Sequence, residues 1–173
     1  LIFIYYFKNI LAIKDIETTN ARVMYLNDGV TLQNSSIINC SSTNTHIYFE
    51  RNCKAINCLF EGNYKQSGSN GVAIQLRGSK ENEIGNLIEN CSFRNNSCGS
   101  VSIYNTGAGG DNKDKHIVRN SKVIGNTDIC ISMNEQSERP IEITGCLFEE
   151  NVAASAAATS PQGIIITGGT AGD

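Results

Sequence analysis

The residues best suited to chemistry are acidic side chains in two polar stretches of the chain. Glu81 and Glu83 lie in the stretch 77–85, and Asp111 and Asp114 lie in the stretch 105–115. Carboxylate oxygens are ligands that Ca²⁺ prefers, and they also accept hydrogen bonds from hydroxyl groups. These four residues are therefore a candidate binding cluster for sugar or Ca²⁺. The alternative is that they are solvated loop residues without a ligand.

Cysteine chemistry is the second candidate. Seven cysteines are an odd number, so at least one is unpaired or pairs outside the chain. The sequence has no C-x₂-C pair, and the two histidines, His46 and His116, are far apart, so we predict no metal centre. Because free cysteine behaves as a small apolar residue, we expect a buried stack of small side chains. Its members recur at one place of a repeat: Cys58, Cys91 and Cys146, interleaved with Ser35 and Ser121.

A seven-residue repeat determines the elements that position these residues. Its clearest copies are N-C-L-F-E-G-N at 57–63, N-C-S-F-R-N-N at 90–96 and G-C-L-F-E-E-N at 145–151. Weaker copies begin at Asn34 and Asn120, and we expect a sixth at Asn9. The copies start 25, 23, 33, 30 and 25 residues apart. A constant unit separated by variable steps indicates a repeat architecture with loops of different lengths.

Apolar residues alternate around each copy, and this period of two predicts strands. One inward column lies two residues before each copy: Phe7, Leu32, Ala55, Ile88, Val118 and Ile143. Another is the fourth residue of the copies, including Ile37, Phe60, Phe93, Val123 and Phe148. A further strand is predicted in each repeat, with these outward residues: Tyr48, Gln75, Ser102, Cys130 and Ile165.

The first residue of each copy is predicted to bend the chain, because Asn and Gly tolerate the left-handed region that costs other residues about 1–2 kcal/mol. We expect these residues to stack as a structural ladder: Asn34, Asn57, Asn90, Asn120 and Gly145. Three short strands and a bend per repeat predict an all-β, single-stranded parallel β-helix, a solenoid of about six coils spaced about 4.8 Å apart. The alternatives are a β-sandwich, which would not keep an Asn column, and a leucine-rich solenoid, which needs more leucine.

Composition favours one domain, 1–173, with a net charge of −3 and scattered basic residues. This argues against a nucleic-acid partner, and the apolar start 1–7 is too short to span a membrane. Because the chain does not begin with Met, we expect an excerpt of a longer solenoid, with further coils in the parent chain. We predict that the stretches 77–85 and 105–115 stack side by side and form the binding surface, since loops on a rigid scaffold carry function.

Several tetrapeptides carry a family resemblance. F-E-G-N at 60–63, F-R-N-N at 93–96 and F-E-E-N at 148–151 resemble the F-x-x-N motif of polymorphic outer-membrane protein repeats, and G-V-A-I at 71–74 resembles their G-G-A-I motif with one change. The wider set is the pectin-lyase-like right-handed parallel β-helix, and the resemblance covers about residues 30–167. It implies an adhesin or passenger-type scaffold, secreted or at the cell surface, that binds glycans or host or matrix proteins without catalysis.

The same scaffold carries polysaccharide lyases and glycoside hydrolases, which are the alternative function. Hydrolysis needs paired carboxylates, and a lyase needs a Ca²⁺ cluster and a base. Asn126-Thr127-Asp128 resembles the N-T-D of polygalacturonases, but the Asp-Asp, Gly-His-Gly and Arg-x-Lys partners are missing. The predicted outward residues of the second strand set include no carboxylate. We therefore predict no catalytic residue and no cofactor.

Overall fold

A computed structural model describes residues 2–4, 12–15, 17–18, 23–43, 46–66, 72–77, 85–104, 115–127, 130–133, 141–152 and 164–166. Every regular element in these ranges is a β-strand. The strands form four sheets, and all pairings between them are parallel. The predicted all-β class with parallel pairing is confirmed. No described segment forms an apolar helix of membrane-spanning length.

Each of the three larger sheets takes one strand from each successive repeat. The seven-stranded sheet comprises β1 (Ile2–Ile4), β4 (Met24–Leu26), β8 (Ile47–Phe49), β12 (Val72–Arg77), β15 (Gly99–Tyr104), β18 (Ile131–Met133) and β21 (Ile164–Ile166). The five-stranded sheet comprises β5 (Thr31–Gln33), β9 (Lys54–Ile56), β13 (Leu87–Glu89), β16 (His116–Arg119) and β19 (Ile141–Thr144).

The six-stranded sheet follows the five-stranded sheet along the chain in each repeat. It comprises β2 (Ala12–Lys14), β6 (Ser36–Ile38), β10 (Leu59–Glu61), β14 (Ser92–Arg94), β17 (Lys122–Ile124) and β20 (Leu147–Glu149). Three repeats add a two-residue strand that the sequence did not predict. These strands are β3 (Glu17–Thr18), β7 (Ser41–Ser42) and β11 (Tyr64–Lys65), and they form the three-stranded sheet.

The predicted inward columns form the core, in register from repeat to repeat. Leu32 pairs with Ala55, which pairs with Ile88, which pairs with Val118. All four are at most 1% exposed. In the six-stranded sheet the rings of Phe60 and Phe93 stack with centroids 4.8 Å apart and planes 10° apart. Like residues in adjacent repeats therefore fill the interior, as alternation with period two predicts.

Two register predictions were wrong. Ile13, not Ala12, pairs with Ile37, so the first copy begins one residue later than Asn9, which itself lies outside the described residues. Ile13 is 5% exposed and Ala12 is exposed, because the larger apolar side chain gains more from burial. Cys130 is fully buried, so the prediction that it points outward is wrong, and in the same sheet Ser102 pairs with Ser132.

Two left-handed corners, five residues apart, recur in the described repeats, and Gly29 (77°) and Asn52 (51°) are further left-handed residues before β5 and β9. The first corner contains the predicted ladder residues, whose φ values are positive: Asn34 (51°), Asn57 (55°), Asn90 (52°), Asn120 (51°) and Gly145 (61°). The second corner, which the sequence did not predict, also has positive φ values: Asp15 (55°), Asn39 (53°), Gly62 (63°), Asn95 (51°), Gly125 (65°) and Glu150 (55°). These left-handed residues redirect the chain from one sheet to the next.

Side chains at the corner residues lean onto the next repeat. In the first corner the exposed Asn57 Nδ2 donates to Asn34 Oδ1 at 3.2 Å. In the second corner a Cβ added to Gly62 would lie only 2.4 Å from Asn39 Oδ1, which is too close for two non-bonded atoms. Asn120 Oδ1 lies likewise over Gly145, at 2.5 Å. Glycine is favoured at these places because it has no Cβ to meet the amide oxygen above it, and it adopts positive φ without strain.

A buried ladder of side-chain amides follows the second corner. Each of its members lies six residues after a residue of the predicted ladder. The buried ladder consists of Asn63, Asn96, Asn126 and Asn151. The Nδ2 of each of the first three donates to the Oδ1 of the next at 2.9–3.1 Å. The same oxygens accept the backbone N–H groups of the preceding members at 2.9–3.0 Å. Asn63, Asn96 and Asn126 are fully buried, so the ladder satisfies polar groups that water does not reach.

The first corner is followed by the predicted stack of small side chains, which is confirmed. Cys58, Cys91, Ser35 and Ser121 are at most 3% exposed, Cys146 is half-buried, and all seven cysteines of the chain are free. Ser121 Oγ donates to the Arg119 carbonyl at 2.9 Å and accepts the Cys91 N–H at 3.1 Å. A hydrogen bond from the Cys91 thiol lowers the pKa of Cys58. The same bond, together with burial, raises the pKa of Cys91 well above its ordinary value.

Candidate functional site

The four predicted binding residues, Glu81, Glu83, Asp111 and Asp114, lie outside the described residues. The ends of their two stretches are described. At the start, Arg77 of β12 pairs with Tyr104 of β15. At the end, Leu87 of β13 pairs with Ile117 of β16. Both stretches therefore leave the seven-stranded sheet and enter the five-stranded sheet on neighbouring strands. That they stack side by side stays a prediction, because their residues lie outside the described ranges.

A half-open groove of about 280 Å³ lies where these stretches enter the five-stranded sheet. Its floor is formed by Leu87 and Ile117, which pair across β13 and β16 and point away from the core. Both side chains are half-buried. The floor is thus a small aliphatic surface on the outer face of a rigid sheet.

Three cations line this groove: Lys54, Lys115 and Arg119. Lys115 Nζ lies 3.1 Å from Glu142 Oε2, and Arg119 Nε lies 2.8 Å from Glu89 Oε1. The hydrogen bond to Glu89 and its charge raise the pKa of Arg119. Lys54 forms no ion pair with another described residue. Among the described residues, the groove and its ion pairs thus comprise three cations and two carboxylates, on a chain whose net charge is −3.

The remaining wall of the groove is a corner held by hydrogen bonds. Asn86 is 1% exposed, and its Oδ1 accepts the Cys53 N–H at 2.8 Å. Its Nδ2 donates to the Glu50 carbonyl at 3.0 Å, and its backbone N–H donates to His116 Nδ1 at 3.1 Å. Asn52 and Gly85 complete the lining. Because this wall is bonded to three repeats, the groove is held in place before any ligand arrives.

The described thiols and imidazoles near and away from the groove are engaged in structural contacts. Burial raises the pKa of the Cys53 thiol to about 12. His46 is fully buried, with Nε2 2.8 Å from the Cys40 carbonyl oxygen, and the Nδ1 of His116 accepts the Asn86 N–H. In the part of the chain that the structure describes, no three His, Cys, Asp or Glu side chains are placed to hold a metal ion.

Sequence reasoning missed the groove cations and the amide ladder. Lys54 and Arg119 are far apart in the sequence and occur singly, so no run of basic residues marks them. The repeat register could have revealed that Lys54 lies beside the aliphatic floor of the groove, because Lys54, Leu87 and Ile117 occupy equivalent places in successive repeats. The ladder also had a signal, since its members include the last residue of each F-x-x-N copy.

No protein-family model matches the chain, and no curated protein matches its sequence. The family resemblance of the tetrapeptides therefore stays a prediction. The geometry of the sheets, corners and groove is what supports a function.

Proposed function

We propose that this chain is a right-handed parallel β-helix of about six coils and that it acts as a non-catalytic binding scaffold. Parallel sheets built from successive repeats support this winding, as do the two left-handed corners in each repeat. In this proposal the F-x-x-N motif is a fold motif, because its Asn forms the buried ladder. The scaffold is secreted or displayed at the cell surface and binds glycans or host or matrix proteins.

One observation carries the binding role. The two longest connections from the seven-stranded sheet to the five-stranded sheet start and end on neighbouring strands, and the groove lies beside their ends at Gly85 and Lys115. A sheet with in-register pairing gives such loops a fixed base, and binding residues are found disproportionately on loops that a rigid scaffold positions. In this proposal the two loops and the groove contribute to one binding surface.

The charges at the groove favour binding over catalysis. Glu89 and Glu142, the described carboxylates beside the groove, are each paired with a cation. Glu89 accepts a hydrogen bond from Arg119 at 2.8 Å, and Glu142 accepts one from Lys115 at 3.1 Å. Both carboxylates therefore orient the groove cations.

The test replaces 78–84 and 105–114 with glycine-serine linkers of the same length. We expect the intact chain to bind at least one member of an array of glycans and matrix proteins, and the loop variant to bind about tenfold more weakly. Circular dichroism and the unfolding midpoint should stay unchanged. A matched control replaces only 67–70 with the same type of linker and should retain binding.

Two results would contradict the proposal. One is a folded chain that binds nothing on the array. The other is turnover of a polyuronate that is abolished by Asp111→Ala or Asp128→Ala, which would establish a lyase or hydrolase instead.

A further inference from the structure

We infer that the groove on the five-stranded sheet binds an extended peptide carrying an aliphatic side chain between two acidic ones. This inference rests on the proposed binding role and narrows it to an acidic peptide segment of a partner protein. It is argued from the spacing of Lys115, Ile117 and Arg119, from their charges and from the aliphatic floor.

Spacing provides the first argument. Lys115, Ile117 and Arg119 alternate along the chain at β16, and all three line the groove. In a strand, alternate side chains share a face and are about 6.6 Å apart. The outer face therefore presents cation, aliphatic group and cation at regular intervals. An extended peptide with acidic, aliphatic and acidic residues at alternate positions has the same spacing.

Charge provides the second argument. Arg119 contacts Glu89 through Nε, and a guanidinium has five N–H donors in total, so donors remain for a second carboxylate. The side chains of Arg119 and Lys115 are 44% and 51% exposed, so a ligand can reach them. Lys54 adds a third positive charge on the far side of Leu87. Charge complementarity therefore favours an anionic partner, although the whole chain is acidic.

The floor distinguishes a peptide from an acidic glycan. Leu87 and Ile117 are adjacent aliphatic side chains, and none of the lining residues that the structure describes is aromatic. Burying apolar surface against apolar surface contributes about 25 cal/mol of binding free energy per Å² removed from water. A valine or leucine of the peptide would supply that surface, whereas a sugar ring presents hydroxyl groups to it.

The experiment is an NMR titration of the full ¹⁵N-labelled chain at low ionic strength. The probe is a blocked pentapeptide, Glu-Ser-Val-Ser-Glu. Its matched controls are Gln-Ser-Val-Ser-Gln, without the charges, and Glu-Ser-Ser-Ser-Glu, without the aliphatic group. We expect shift changes concentrated on β13 and β16. Each control should bind about fivefold more weakly, as the loss of exposed ion pairs or of one small apolar contact predicts.

Variants of the chain assign the contacts. Lys115→Gln and Arg119→Gln should each weaken binding of the probe about threefold. Lys122→Gln is the matched control, because Lys122 is an exposed lysine on the six-stranded sheet, outside the groove. It should leave the affinity unchanged, and unaltered amide spectra of core residues will show that each variant is folded.

Three outcomes would overturn the inference. These are an absence of shifts at β13 and β16 up to the solubility limit of the probe, equal affinities for the three peptides, and preferential binding of a tetragalacturonate or a heparin tetrasaccharide in the groove. If the inference fails while loop replacement still abolishes binding on the array, the proposed scaffold function stands and only its peptide ligand is wrong. If the array test fails, peptide binding in the groove remains measurable by itself.

Discussion

The two corners of each repeat turn the chain with the same backbone and secure it with different chemistry. In both, a residue with positive φ is followed by an inward side chain that hydrogen-bonds the repeat before it. At the second corner, Asn96 Nδ2 donates to the Phe60 carbonyl at 3.0 Å. At the first, Cys91 Sγ lies 3.5 Å from the Ala55 carbonyl oxygen. Amides and thiols therefore occupy equivalent places.

The difference between the corners lies in how many groups each side chain can serve. An amide has two donors and an oxygen with two acceptor sites, whereas a thiol has one weak donor and a weak acceptor. Asn96 bonds to both neighbouring repeats through four such contacts. The corner geometry thus requires only a small inward polar group, and the amide adds a continuous link between repeats. Mutations that affect the two corners unequally test this comparison.

The largest effect is expected for Asn96→Ala. The change leaves the Asn63 N–H and the Phe60 carbonyl without their buried partners, and each such group costs about 1–3 kcal/mol. The free energy of unfolding should fall by about 3–5 kcal/mol in urea titrations. Cys91→Ala at the other corner should cost about 1–2 kcal/mol. Equal losses at the two positions would remove the distinction between the corners.

Next in size is the cost of a side chain at a corner glycine. Gly62→Ala puts a Cβ 2.4 Å from Asn39 Oδ1 at φ +63°, so it suffers both backbone strain and a clash. Gly29→Ala is the matched control, because its φ is +77° and nothing lies within 4 Å of the added Cβ. The control should cost about 1–2 kcal/mol, and Gly62→Ala should cost more.

The double variant Asn39→Ala/Gly62→Ala removes the amide that lies over the glycine. If the clash is real, the double variant should be more stable than the sum of the two single changes predicts. Thermal unfolding of the four proteins measures this difference. Strict additivity would show that Asn39 does not lean on the next repeat.

Alkaline pH should weaken the fold through the buried thiol of Cys53. Burial raises the pKa of Cys53 from 9.0 to about 12 in the folded chain, so the unfolded chain loses this proton first. Its contribution to stability is complete below pH 9 and falls by about 1.4 kcal/mol per pH unit above it, until the folded thiol ionises near pH 12. Urea unfolding near pH 7 and pH 10 should show a lower free energy of unfolding at the higher pH. In Cys53→Ser this decrease should be smaller by the contribution of one thiol, about 1.4 kcal/mol per pH unit above pH 9. An unchanged slope in that variant would contradict the assignment.

The smallest effect on the free energy of unfolding is expected when a cysteine of the first corner is replaced by serine, the other side chain found at that place. Cys58→Ser places a hydroxyl at the position that Ser35 and Ser121 occupy in other repeats, where each hydroxyl donates to the carbonyl two residues before it. The free energy of unfolding should change by no more than about 1 kcal/mol. A much larger loss, measured in urea, would mean that packing of the sulfur matters more than its hydrogen bond.

Local sequence rules predicted the strands and the core well. Alternation placed Leu32, Ala55 and Ile88 inside, and the structure pairs them in register. The same rules failed at the amide ladder, because Asn favours the left-handed region at a corner and also forms a buried ladder just after one. The position of the second corner determines which Asn is a corner residue and which is a buried ladder residue, and the sequence did not predict that corner. The first copy failed for a related reason, since Asn9 was aligned by residue type and not by the burial of Ile13.

The candidate site was less predictable than the fold. Its predicted carboxylates, such as Glu81 and Asp111, lie on insertions, which have no repeat to fix their register and fall outside the described residues. The groove cations are single residues brought together by pairing between repeats, so no local pattern marks them. Residues within the repeat register, such as Lys54 and Ile117, can be placed next to one another from the sequence. Residues on the insertions cannot, because no repeat fixes their positions.

The most direct test of this account is the exchange of side-chain amide protons, measured by NMR together with cross-repeat NOEs. The account predicts that the Nδ2 protons of Asn63, Asn96 and Asn126 are protected from solvent and show NOEs from each residue to the next. The Nδ2 protons of the exposed Asn34 should exchange freely. Rapid exchange at all four residues, with no NOE between Asn63 and Asn96, would contradict the stacked ladder and the repeat-on-repeat architecture built on it.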